Sequence, residues 1–219
     1  MRFMILTILC LVMTTFANQL SATDYSWVAA KATRQVAYTT DNENWIPLRT
    51  GMAVPDKAWI STGPRGRLEL KRGVERIIYQ PNTLAAIHTQ GDDHARKTEI
   101  IQQIGELNLE IERRARPHTT VQTPFLAAVV KGTQFKVTVG TSDSAVSVDR
   151  GLVQVTSFSS GERSNLGAGQ GARVGASGMK VDGAFNKPTI THVSPSKALV
   201  PAVDAMVGAP SIPPGATPP

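Results

Sequence analysis

Cysteine is almost missing from this chain. The single one, Cys10, lies in an apolar run at the N-terminus, so a product that loses that run carries no disulfide, no reactive thiol and no thiolate metal site. Aromatic residues make up only 5% of the sequence. The stacking platforms that single-stranded nucleic acid requires are not interleaved with the basic strands, and no nucleic-acid partner is expected. The four histidines (His88, His94, His118 and His192) are scattered without the short fixed spacings of a zinc site. The segment Gly91–His94 (GDDH) could hold a hard cation weakly, but it reads as a solvated hairpin loop. No serine stands in a G-x-S-x-G setting, and the formal S-x-x-K at Ser194–Lys197 falls among prolines, where nothing preorganises a nucleophile. Catalytic, metal and cofactor sites are therefore not expected.

What is present begins with a leader. Residues 1–22 carry one charge, Arg2, then an apolar run from Phe3 to Phe16 and a small-residue exit with Ala17 and Ala22 as candidate cleavage points. That layout predicts a secretory signal peptide and a periplasmic or otherwise extracytoplasmic product. Its removal takes the formal charge from +6 to +5. No later segment approaches the ~18–20 apolar residues of a membrane-spanning helix. Residues 23–33 read as an arm or short helix leading into the first strand. Residues 34–176 read as one β domain. Residues 186–219 hold eight of the fourteen prolines and are expected to be a disordered tail, because proline lacks a donor and fixes φ.

Between leader and tail the pattern is that of strands. Arg67–Lys71 (RLELK) alternates strictly, as does Glu106–Glu112 (ELNLEIE), and Gln134–Val139 (QFKVTV) places Phe135, Val137 and Val139 on one face. Short runs of this kind recur every ten to twelve residues between Gly, Pro, Asn and Asp, which predicts an all-β fold. The run from Thr98 to Arg114 is ambiguous, because Ile100, Ile101 and Ile104 also fit a helical spacing; Gly105 and the alternation after it favour strand. GRLELKRGVERIIYQPNTLAAI and TQFKVTVGTSDSAVSVDRGLVQVTS echo each other as strand, polar turn, strand. A β-solenoid or a two-layer β-sandwich would each produce that echo.

Two glycine-containing stretches resemble phosphate grips and fail the comparison. In AVVKGTQFKVTVG (Ala128–Gly140), Lys131 precedes the only glycine and a strand follows, whereas a P-loop needs lysine after its second glycine and then a helix. Gly132 is better read as backbone freedom at a sharp bend, with Thr133 tying the turn through its hydroxyl and Lys131 in solvent. Gly167-x-Gly169-x-x-Ala172 is followed by more glycine rather than by a helix, so a turn between late strands is expected. Glu110 and Glu112, beside Arg113 and Arg114, look like a charge-balanced strand edge rather than a catalytic pair. The feature with most functional content is basic. Arg65, Arg67, Lys71, Arg72 and Arg76 fall within twelve residues, and Arg113, Arg114 and Arg116 form a second knot. Such a face suits an envelope protein or an anionic polymer.

Several blocks also stand in a familiar order. Leu48-x-x-Gly51 comes first, then Ile60-x-Thr62-Gly63 with an alternating strand up to Gly73, then QPNTLAAI. VQTPFLAAVVKGTQFKVTV follows, with Thr123-Pro124 and Gly132-Thr133-x-Phe135, then AVSVDRGLVQVTS around Gly151, and LGAGQGARV. From Arg34 to about Val174 the chain resembles the FecR-like domain family, named for a ferric-citrate signal transducer. The resemblance implies a single extracytoplasmic all-β module, non-enzymatic, with Thr62, Gly63, Thr123, Pro124, Gly132, Thr133, Phe135 and Gly151 as its structural motif. In the namesake group such a module relays occupancy of an outer-membrane transporter to a sigma factor. This chain is expected to depart from that group: no cytoplasmic segment ahead of a mid-chain membrane helix and no second partner-binding domain after the β module are expected from the sequence, and the usual acidic residue before the turn glycine is Arg72. The expected role is a binding or scaffold module for an envelope protein or polymer. The alternative is an accessory regulator of cell-surface signalling acting through a separate membrane partner.

Overall fold

Among the described residues, alternating sequence produces seventeen strands and no helix. The structure is a computed structural model that describes residues 26–91 and 95–202; the leader, Asp92–His94 and residues 203–219 lie outside the described residues. The strands form two sheets, here front and back. β1 (Val28–Ala32) enters the front sheet; β2 (Val36–Thr39), β3 (Ile46–Pro47) and β4 (Trp59–Thr62) lie in the back. β5 (Leu68–Arg72) and β6 (Glu75–Tyr79) return to the front, and β7 (Leu84–Gln90) to the back. β8 (Lys97–Glu110) belongs to both. β9 (Thr119–Gln122) and β10 (Leu126–Val130) are back, β11 (Gln134–Val139) and β12 (Asp143–Arg150) front. β13 (Val153–Ser157) and β14 (Glu162–Leu166) are back, β15 (Gln170–Gly175) and β16 (Gly178–Gly183) front, and β17 (Ile190–His192) back.

The front order is β1-β5-β6-β8-β11-β12-β15-β16. The back order is β3-β2-β4-β7-β8-β9-β10-β13-β14-β17. All pairings are antiparallel except β8 with β9. The chain thus visits the two layers in alternating short runs while advancing along both. The result is a two-layer sandwich laid down in solenoid fashion, and the echo in the sequence has a structural counterpart: β5-β6-β7 and β11-β12-β13 each place two strands in front and one behind. Leu68, Leu70, Ile77, Leu107, Leu109, Phe135 and Val137 from the front meet Ile60, Ile87, Ile100, Val121, Leu126, Val130 and Val155 from the back in one buried cluster. Burial on one face per sheet is what the period-2 alternation demands.

β8 shows why the helix-like isoleucines are strand residues. Its first part pairs with β7, and a bulge at Gln103 puts Leu84 opposite Ile104 and Ala85 opposite Gln102. One extra residue reverses which parity faces the core, so Thr98, Ile100 and Gln102 are buried before the bulge and Leu107 and Leu109 after it. Gly105 sits at the crossing with φ +93, and a Cβ there would lie 2.5 Å from Thr83 Cα. Glycine is required because the strand passes directly over Thr83, whose hydroxyl accepts the Glu106 N–H at 3.0 Å.

The ordered sheets reach beyond residues 34–176. β1 lies in the stretch expected as an arm, and it is tied into the front sheet by pairing with β5 and into the 50–54 segment by Ala29 N–H to Met52 O, 2.9 Å, and Val54 N–H to Trp27 O, 2.8 Å. At the other end β17 falls within the proline-rich stretch, where Thr191 and Ile190 still complete a ladder on β14 between Pro188 and Pro195.

Candidate binding surface

The pleat sorts the five clustered cations. On β5, Leu68, Leu70 and Arg72 point inward, while Glu69 and Lys71 point out, as does Arg67 just ahead of the strand. Glu69, with its side chain 13% exposed, is the hub of the outer face: Lys31 Nζ lies 3.5 Å away, Lys71 Nζ 3.4 Å and Arg76 Nε 3.6 Å. Burial alone would raise the Glu69 carboxyl, but these three cations outweigh it and hold the group below the ordinary carboxylate range. One carboxylate shared among three cations leaves the face positive. Lys31 was not grouped with the others from sequence, because only the register of β1 against β5 puts it opposite Glu69.

The turns bordering this face add more. Arg65 N–H donates to Gln35 Oε1 at 2.8 Å and Arg67 N–H to Thr33 Oγ1 at 2.8 Å, which brings the β1–β2 turn and its exposed Arg34 alongside. Ala32 N–H donates to Thr50 Oγ1 at 3.0 Å and places exposed Arg49 on the same border. The side chains of Arg34, Arg49, Arg65 and Arg67 make no ion pair among the described residues.

Arg72 does not belong to this surface. Its side chain is only 2% exposed, its Nη2 donates to Glu75 Oε2 at 2.8 Å and to Thr98 Oγ1 at 2.8 Å, and its Nη1 donates to Thr89 Oγ1 at 2.9 Å. The guanidinium stacks over the Trp27 ring at 4.2 Å. Glu75 is the anion of this internal cluster, with Arg96 Nη2 at 3.9 Å and His118 Nε2 at 3.5 Å. Burial would push the Glu75 carboxyl up; the His118 ring and the Arg72 charge prevail and hold it at about 2. The cluster joins β5 and β6 of the front sheet to β7 and β8 of the back. A charge enters a core only with its partners, so the position that departs from an acidic residue carries an inward cation matched by Glu75.

The motif residues serve the backbone. Thr62 Oγ1 donates to Gln80 O at 2.6 Å and accepts the Thr83 N–H at 2.9 Å. Gly63 N–H donates to Gln35 O at 2.8 Å. Thr123 Oγ1 accepts from Leu126 N–H at 3.0 Å and from Ser144 Oγ at 3.0 Å, closing the turn that Pro124 opens. Phe135 is core. Gly132 has φ +141, and a Cβ on it would lie 2.2 Å from Arg113 Cα; one on Gly151, at φ +97, would lie 2.6 Å from Thr133 Cγ2. Thr133 differs from expectation: its hydroxyl is buried with no hydrogen-bond partner among the described residues. The residue acts instead through its methyl, packed on Gly151, and its carbonyl, which accepts the Ile111 N–H at 2.9 Å. Lys131 is exposed, as expected.

Residues 56–154 match the family described as FecR protein. That stretch of the chain is similar to a FecR domain. The match runs from just ahead of β4 to the start of β13, and so includes the hub at Glu69, the internal cluster and the turns at Gly132 and Gly151. Among solved structures, the crystal structure of a candidate anti-sigma factor from Parabacteroides distasonis ATCC 8503 is similar, with 21% identity and a TM-score of 0.48 over 57% of this chain and 59% of that one. The chain spans about six-tenths of that neighbour's length. No curated protein matches it. Among the described residues, no three His, Cys, Asp or Glu side chains are grouped to hold a metal ion, and no helix is long and apolar enough to cross a membrane.

Proposed function

We propose that this FecR-domain protein is a non-enzymatic binding module of the cell envelope, working outside the cytoplasm and holding an acidic envelope protein or an anionic polymer against its front sheet. The observation that carries the reading is the hub at Glu69, where one carboxylate is shared by Lys31, Lys71 and Arg76 while the side chains of Arg65 and Arg67 beside it pair with no anion among the described residues. Clustered positive charge on a rigid sheet attracts a polyanion at long range and in a salt-dependent way. A second reading, that the module is an accessory regulator of cell-surface signalling through a separate membrane partner, is favoured by the FecR domain at residues 56–154. Both readings require a binding step at the surface.

Reversing Arg65, Arg67 and Lys71 to Glu is expected to abolish salt-sensitive retention on an anionic envelope fraction; unchanged retention would remove the first reading. Crosslinking in the intact envelope separates the two, because capture of a membrane-embedded regulator supports the second and capture of a polymer or a structural protein the first.

A further inference from the structure

We propose that the cleft at one end of the sandwich, where the turns around residues 74, 112, 132 and 151 meet, docks an extended acidic peptide of a partner protein that inserts one large apolar side chain. This rests on the reading of the front sheet as a binding surface and names the chemistry of one partner contact.

The cleft encloses about 660 Å³ and is lined by Val74, Glu110, Arg113, Lys131, Arg150 and Leu152, with Gly132 and Gly151 between them. Val74 is 73% exposed and Leu152 50%. Val74 stands at the β5–β6 hairpin turn and Leu152 at the crossover from β12 in the front sheet to β13 in the back, and both line this one cleft. The core does not need either of them. The glycines explain why the cleft stays open. Main chain passes so close at Gly132 and Gly151 that no Cβ fits at either, so this part of the wall carries no side chains to fill the space.

The charges around it are unequal. Glu110 is already 3.6 Å from Arg150, and Glu112 accepts from Arg114 Nη2 at 3.0 Å. The side chains of Arg113 and Lys131 are exposed and make no ion pair or hydrogen bond among the described residues. An occupant that matches both features has carboxylates for the two free cations and an aliphatic or aromatic group to cover Val74 and Leu152. Nucleic acids and sugars bind on aromatic platforms, and the lining has none. A membrane surface would need a protruding apolar edge, whereas this one is concave. The cleft also continues the basic face: Lys71, Arg76, Glu110, Gln134 and Arg150 are successive partners along one row of the front sheet.

The test uses the full chain and two fluorescent dodecapeptide pools of Asp, Glu, Ser and Gly, one with a central Leu, Ile or Phe and one with a central Ser, read by anisotropy. The apolar pool is expected to bind about tenfold tighter or more, as a buried apolar anchor should. Val74→Ser with Leu152→Ser should erase that preference while leaving binding of the Ser pool unchanged, and Val74→Asp and Leu152→Asp should erase it while weakening both pools through the added negative charge. Arg113→Glu with Lys131→Glu should weaken both pools. Equal binding of the two pools, or a preference that survives at Val74→Asp and Leu152→Asp, would overturn the proposal. So would self-association of the chain that Leu152→Asp abolishes, because the occupant would then be a second copy. The Arg65, Arg67 and Lys71 reversal tests the broader surface separately: loss of envelope retention with the apolar preference intact supports both, and retention unchanged with the preference intact removes the polyanion face but keeps the cleft.

Discussion

Substituting Glu75 by Gln removes one negative charge from the interior and leaves the shape of the side chain almost unchanged. Arg72 Nε and Nη2, at 3.1 and 2.8 Å, then face an amide oxygen at best, and Arg96 and His118 lose the carboxylate that lies 3.9 and 3.5 Å from them. Breaking a buried ion pair from one side costs about 3–5 kcal/mol, because the remaining charge is stranded away from water. The direction in which the cluster moves the Glu75 carboxyl leads to a similar figure. Lowering the carboxyl from 4.5 to about 2 corresponds to roughly 3 kcal/mol of stability supplied by the ionised form. The sign follows from the direction: a carboxyl depressed on folding stabilises the native state above its unfolded pKa and loses that contribution as pH falls toward the folded one. Urea unfolding of wild type and Glu75→Gln should therefore differ by about 3–5 kcal/mol at pH 7, or roughly 6–20 °C in melting temperature. That gap should close between about pH 4.5 and pH 2. A difference below about 0.5 kcal/mol at pH 7, which is the size of an ordinary surface substitution, or a gap that stays constant through that window, would refute the account. The pair Arg72→Met with Glu75→Leu should recover part of the loss, since replacing both charges strands neither of them.

Three other substitutions test separate parts of the structure. Gly132→Ala, with φ +141 and a Cβ 2.2 Å from Arg113 Cα, should abolish folding or cost more than about 3 kcal/mol, whereas Gly73→Ala, at φ +57 with nothing within 4 Å, should cost only about 1–2 kcal/mol by thermal melting. Thr62→Val removes a buried acceptor for Thr83 N–H and a donor to Gln80 O, and should lower the urea midpoint by the equivalent of about 1–3 kcal/mol. Glu69→Gln frees Lys31, Lys71 and Arg76 from their shared anion, so retention on an anionic envelope fraction should persist to higher salt; weaker retention would mean that these cations are not the binding groups.

The strands were legible wherever one face is buried and the other wet, because a two-residue period leaves no other reading of Gln134–Val139 or Glu106–Glu110. Legibility failed where tertiary geometry changes the period. In β8 the bulge at Gln103 shifts the inward set by one residue, and on paper the shift imitates helical spacing at Ile100, Ile101 and Ile104. The ends were read too narrowly for a related reason. β1 and β17 are short and of mixed composition, and they become strands through partners about forty residues and about thirty residues away along the chain. Nothing local to Val28–Ala32 or Ile190–His192 encodes that pairing.

Charge is harder to read than hydrophobic pattern, because sequence proximity and surface proximity are different things in a sheet. Neighbouring residues on β5 face opposite ways, so Lys71 reaches solvent and Arg72 reaches Glu75 in the interior. Counting by strand face removes Arg72 from the five clustered cations. Strand pairing and turn hydrogen bonds bring in Lys31, Arg34 and Arg49, so the exposed set rises to seven. The glycines obey a different constraint. Gly132 and Gly151 are dictated by main chain passing within a Cβ's reach, so any sequence that folds this way needs them whatever it binds. The motif around Gly132 therefore carries information about the fold alone. Information about a partner lies in positions the fold leaves free, such as Lys31, Val74 and Leu152, and no local pattern in the sequence marks those.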